Sequence, residues 1–78
     1  MRILFFAQLR EVTGVEQAEI EVDSVDASSL WDSLLAMWPG LAAHQSQIRL
    51  ARNGRYVESG EAFERGDEVA LIPPVSGG

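Results

Sequence analysis

The chain has no cysteine, no lysine and a single histidine, His44, among its 78 residues. Without cysteine it has no disulfide staple, no thiolate metal ligand and no sulfur nucleophile of its own. One histidine is too few for a histidine-rich metal site or a self-contained catalytic triad. Without lysine there is no ε-amine to accept an acyl group, so copies of the chain cannot link through lysine side chains. Basic residues are scarce altogether. Six arginines stand against twelve acids, for a net charge of −6. Nucleic-acid binding through phosphate neutralisation needs a basic patch and is disfavoured by this balance. The acidity serves solubility, and it also suits a basic docking partner. Long apolar runs are missing too. No stretch approaches the ~20 residues of a membrane span, and the opening Met1-Arg2-Ile3-Leu4-Phe5-Phe6 is too short for a signal peptide. The expected compartment is the cytoplasm.

What remains is a globular composition, 46% hydrophobic and 23% charged, and its length fits one domain. Arg2 to Ala7 reads as a central strand, apolar on both faces. Gln8 to Gly14 reads as a polar connection with about one helical turn, closed by Gly14. Gln17 to Asp23 alternates, with Ala18, Ile20 and Val22 toward a core and Glu19, Glu21 and Asp23 toward water. Asp26 is a good N-cap for the helix that follows. Leu30, Leu34, Met37, Trp38 and Leu41 form its core stripe, and Pro39-Gly40 ends it. Trp31 and Leu35 lie to one side. Ile48 to Arg52 and Arg55 to Val57 form a hairpin around Asn53-Gly54. Gly66-Asp67 then turns the chain into a last strand, Glu68 to Ile72. The order is β-β-α-β-β-β, and one helix must cover one face of a mixed sheet. With first and last strands parallel at the centre, this is the α+β, ubiquitin-like β-grasp arrangement.

The chemistry concentrates at the end of the sequence. Pro73 and Pro74 cannot donate ladder hydrogen bonds, so they stop the last strand and launch a tail. The expected division is a β-grasp domain over 1–74 and a flexible diglycine tail over 75–78. Four extended residues, at 3.3–3.6 Å each, reach roughly 13–14 Å from the body. Gly77-Gly78 lacks side chains, so it can lie flat in a narrow tunnel and present Gly78 inside a partner's active site. A free α-carboxylate, with a pKa near ~3.5, is ionised at neutral pH and a poor electrophile. Its useful reaction is attack on the α-phosphate of ATP to give an acyl-adenylate. The chain has no Gly-rich phosphate loop, so an activating enzyme must bind the nucleotide. A sulfur nucleophile displacing AMP leaves a thiocarboxylate, whereas an amine leaves an amide.

Other candidates are weaker. Glu58, Glu61, Glu64, Asp67 and Glu68 read as a solvated face, not as a metal or acid–base cluster. His44 reads as an exposed loop residue. Arg49, Arg52 and Arg55 read as an exposed strand face, with partner docking as the second reading. Phe6, Arg10 and Ile72 are expected near the root of the tail, where an inserted tail would bring them against the partner.

The opening Ile3-Leu4-Phe5-Phe6-Ala7-Gln8-Leu9-Arg10, the run Gly66-Asp67-Glu68-Val69-Ala70-Leu71-Ile72 and the ending Pro73-Pro74-Val75-Ser76-Gly77-Gly78 carry a family resemblance. The chain resembles the small, sulfur-carrying subunits of molybdopterin synthase, over its whole length. That resemblance implies a β-grasp fold and a protein cosubstrate that is no enzyme by itself. It would act in a cytoplasmic heterotetramer, a sulfurtransferase, with two copies of a large catalytic subunit. It implies that an adenylating and sulfurylating enzyme uses ATP to activate Gly78, with Gly77 its neighbour in the tunnel. The resulting thiocarboxylate would give sulfur to cyclic pyranopterin monophosphate, building the molybdopterin dithiolene. Phe6, Arg10, Ile72, Pro73, Pro74, Val75 and Ser76 would meet the partner, and the chain itself would bind no cofactor or metal. Two other readings stay open: a carrier for another sulfur pathway (thiamine, cysteine or tRNA thiolation) and a protein modifier that forms isopeptides.

Overall fold

The computed structural model describes residues 1–74. Its elements are β1 (Arg2–Phe5), α1 (Gln8–Thr13), β2 (Gln17–Glu19), α2 (Ala27–Met37), β3 (Arg49–Arg52), β4 (Arg55–Tyr56) and β5 (Glu68–Ile72), with two short 3-10 segments between α2 and β3. The five strands form one sheet in the order β2-β1-β5-β3-β4. β1 and β5 run parallel at its centre, and the other neighbouring pairs are antiparallel. This is the expected β-grasp.

Alternation along the strands divides the sheet into two faces. Ile3, Phe5, Val69 and Leu71 point inward and are wholly or almost wholly buried beneath Leu30 and Leu34 of α2. Asp26 caps that helix, its Oδ1 accepting from the Ser29 N–H at 2.8 Å. Leu9, Leu41 and Phe63 complete the core, all fully buried. Phe63 is fixed by a two-way bridge with Val25, each backbone N–H donating to the other's carbonyl. A loop aromatic therefore does the work of an extra element.

Four local expectations change. The polar connection after β1 holds a six-residue helix whose Leu9 enters the core, ended by Gly14 in the left-handed conformation. β2 is a regular strand only to Glu19, shorter than expected, with Ile20 and Met1 exchanging backbone hydrogen bonds just beyond it, and Ala18, Ile20 and Val22 do turn inward. Met37 leaves the core stripe and is 52% exposed. It lies in the last turn, about 60° round the helix from Leu34, and the space below is taken by Trp38. That indole packs edge-on against Phe5, with ring centroids 4.9 Å apart. His44 is half-buried between the 3-10 segments, not an exposed loop residue.

The hairpin turn forms as its sequence requires. Asn53 and Gly54 both have positive φ, 51° and 86°, as the primed two-residue turn demands.

Candidate functional site

The candidate site is the end of the sheet where β5 gives way to Pro73 and Pro74. β1 and β5 pair in parallel through Phe5 and Leu71, so both strands finish at the same edge. Phe6 and Ile72 follow there on the open face. Phe6 is 37% exposed, Ile72 and Pro73 are half-buried, and Pro74 is exposed. Val75, Ser76, Gly77 and Gly78, expected to carry the chemistry, lie outside the described residues.

The open face changes character along its length. Near the tail it presents Leu4, Phe6, Ala70, Ile72, Ala51 and Tyr56, which the strand registers bring together. At the other end it is charged. Arg2 lies between Glu19 at 3.6 Å and Glu68 at 3.5 Å. These ion pairs are exposed and contribute little stability, but they keep the far end of the face polar.

The turn after β1 shapes the apolar end. Ala7 has φ 51° and ψ −132°, a region disfavoured for a residue with a Cβ. The turn closes through the Leu9 N–H donating to the Phe6 carbonyl at 3.0 Å. Arg10 reaches back, its Nε donating to the Phe5 carbonyl at 3.2 Å. With Leu4, Phe5, Phe6, Glu16 and Gln17 it borders a shallow hollow of about 370 Å³. Phe6 and Ile72 thus follow the paired ends of β1 and β5, while Arg10 lies beside Phe6 on the β2 side of the hollow.

The acids do not all form a solvated face. Asp67 is buried, and it gathers three donors at the start of β5. Arg52 Nε donates at 2.6 Å, the Glu64 N–H at 2.7 Å and Asn53 Nδ2 at 3.0 Å. Asn53 Oδ1 in turn accepts from the Glu68 N–H at 3.0 Å. Burial pushes the Asp67 carboxyl up, yet these hydrogen bonds and the guanidinium charge outweigh it and hold its pKa below the usual range. Glu61 and Glu64 also approach Arg52. Arg52 is therefore the half-buried centre of a clasp and not part of an exposed strand face. Among the described residues no group of three or more histidines, cysteines or acids could hold a metal ion.

Two residues at the site, Tyr56 and Ala7, escaped the sequence reading, whereas Arg49 lies exposed on a strand face as the sequence suggests. Tyr56 and Arg49 share the open face, with the Arg49 guanidinium 3.8 Å from the ring centroid. Alternation counted outward from Asn53-Gly54 would have placed Tyr56 there as well. The strain at Ala7 has no sequence signal, since alanine rarely marks a left-handed turn.

Comparison with known proteins agrees with this geometry. The ThiS family model matches residues 3–78. The molybdopterin synthase sulfur carrier subunit of Homo sapiens is 40% identical, over all of this chain and 93% of its own length. The crystal structure of SAMP1 from Haloferax volcanii superposes with a TM-score of 0.85 at 35% identity, covering 99% of this chain and 97% of that one. A chain from the complex of subunits 1 and 2 of molybdopterin-converting factor of Helicobacter pylori gives 0.72 at 26% identity, covering 99% and 96%. A parallel β1–β5 pair ending in an apolar open edge, on a chain matched almost end to end, makes this protein a member of the ThiS family.

Proposed function

We propose that this chain is the sulfur carrier subunit of a molybdopterin synthase, a cosubstrate that acts through Gly78 and performs no catalysis itself. One observation carries the reading. Two parallel central strands end together, and Pro73-Pro74 leaves them beside an uncovered apolar surface. A body of this shape can dock by its sheet edge while a thread of backbone enters the partner. The relatives named as sulfur carrier subunits, and the two-subunit complex of the Helicobacter pylori protein, support the same role.

The chemistry follows from the carboxylate. An activating enzyme binds ATP, and a Gly78 carboxylate oxygen attacks the α-phosphorus as pyrophosphate leaves. A sulfur nucleophile then attacks the acyl carbon and AMP leaves. Sulfide as that nucleophile gives the thiocarboxylate directly, whereas a persulfide donor gives an acyl disulfide, from which a second thiol releases the thiocarboxylate by forming a disulfide with the donor sulfur. In the large subunit's pocket its sulfur passes to cyclic pyranopterin monophosphate, and water restores the carboxylate. A dithiolene has two sulfurs, so two charged carriers are consumed for each product. This suits a cytoplasmic heterotetramer with two copies of each subunit, acting as a sulfurtransferase. In this reading Gly77, without a side chain, accompanies Gly78 into the partner's tunnel, and Phe6, Arg10, Ile72, Pro73, Pro74, Val75 and Ser76 are the residues that meet the partner.

A second reading has its own support. Small archaeal modifier protein 1 of Haloferax volcanii is 32% identical, with a TM-score of 0.79. A modifier would use the same adenylate and transfer Gly78 to an amine. Intact-mass measurement after incubation with ATP, sulfide and an activating enzyme separates the two. Replacement of one terminal oxygen by sulfur, followed by dithiolene formation with the large subunit, is the expected result. Conjugates to partner lysines without thiocarboxylate would establish the modifier instead. Neither product, despite active enzyme, would refute a reactive terminus.

A further inference from the structure

Arginine is scarce in this acidic chain, and five of the six find a carboxylate. Arg2 meets Glu19 and Glu68, Arg10 meets Glu16, and Arg65 meets Asp23. Arg52 meets Glu61, Glu64 and Asp67, and Arg55 meets Glu61. Arg49 is the exception. Among the described residues no carboxylate lies within ion-pairing distance of it, and its guanidinium rests on the Tyr56 ring, 3.8 Å from the centroid. Its location is telling, because β3 pairs with β5 so that Arg49 stands directly opposite Ile72. A cation with no carboxylate partner among the described residues therefore sits in the apolar half of the open face, beside Ile72.

A ring beneath a guanidinium occupies one face of its plane and leaves the N–H fork at the edge available. It also restricts a long side chain before any partner arrives, which lowers the ordering cost of a new contact. We infer that Arg49, held by Tyr56, is a specificity-determining contact that receives a carboxylate of the large subunit at the centre of an otherwise apolar interface. The partner's identity rests on the proposed function, while the charge it must bring rests on a guanidinium that meets a ring and no carboxylate among the described residues. Phe6, Ile72 and Tyr56 would exclude water from the pair, and a partner lacking the acid would leave a buried cation unmatched. That mismatch discriminates between partners more strongly than the apolar contacts can. A long-lived synthase interface, more apolar than a transient one, fits this arrangement better than passing contact with an activating enzyme.

The test is calorimetric titration of the full chain into its large subunit at low and high salt. Arg49→Met keeps the apolar stem and should weaken binding about tenfold or more, with an unchanged melting temperature. Its affinity should also depend less on salt than that of the wild type. Arg49→Lys should recover only part of the loss, since an ammonium lacks the fork. Tyr56→Phe keeps the ring and should bind as the wild type does. Arg49→Glu should be rescued by changing one acid on the large subunit to arginine. If Arg49→Met binds within twofold of wild type with the same salt dependence, the inference is overturned. Weakened binding to the activating enzyme, with large-subunit affinity intact, overturns it too. A wild-type chain that does not bind the large subunit overturns the proposed function itself, and the inference falls with it.

Discussion

The two ends of β5 solve opposite problems. At its start the Asp67 carboxylate is enclosed by Arg52, Asn53 and the Glu64 N–H, and the Asp67 carbonyl accepts from the Arg2 N–H at 3.0 Å. Nearly every polar group there finds a partner within the chain. At the other end Ile72 stands among Phe6, Tyr56 and Arg49, on a surface that no element among the described residues covers. The strand is stitched where it enters the sheet and left open where it leaves. If the open end is the docking surface, stability and recognition are separated along about five residues of one strand, and substitutions at the two ends should fail in different ways.

The sharpest break of that comparison is removal of Gly77 and Gly78. Sulfur transfer to the pterin precursor should drop to background while the thermal midpoint does not move, as a coupled dithiolene assay and a melting curve would record. Substantial residual transfer would mean that the open end is not the functional one. Next comes Phe5→Ala, in the core beneath the open end, where it pairs with Leu71. It removes the aromatic that Trp38 packs against, and should cost about 3–5 kcal/mol in urea unfolding. At the stitched end, Asp67→Ala strands a guanidinium, an amide and a backbone N–H, for a loss of about 2–3 kcal/mol. Its thiocarboxylate chemistry should survive at temperatures where the variant is folded. At the open end Ile72→Asp should do the reverse. Affinity for the large subunit should fall about tenfold or more, with little change in urea midpoint.

The smallest expected effect is acid-dependent. The folded pKa of Asp67 lies below its unfolded value of 3.8, so its stabilising contribution is complete above that value. It disappears as pH falls through the lower folded pKa. The stability gap between wild type and Asp67→Asn should therefore be constant near neutrality and narrow steadily on acidification. A gap that stays constant down to the lowest measurable pH would show that the carboxylate's charge is not what stitches this end.

Much of this molecule is decided by local chemistry. Alternation in Gln17 to Val22, the Asp26 cap, the Leu30–Leu34 spacing and the Asn53-Gly54 turn each act over a few residues, so the elements and the β-grasp order are readable in sequence. The Pro73-Pro74 stop and the closing diglycine are equally local, and they direct attention to the end of the chain. Non-local contacts decide the rest. Asp67 resembles its acidic neighbours until folding brings Asn53 and Arg52, 14 and 15 residues away, onto its oxygens. Met37 follows the helical period of a core residue, yet the helix ends where Trp38 fills the space against Phe5. Arg49 is one cation among six until strand register sets it opposite Ile72 and over Tyr56. Periodicity fixes which way a side chain points, whereas its neighbours depend on how distant segments pair, and only the assembled sheet specifies that.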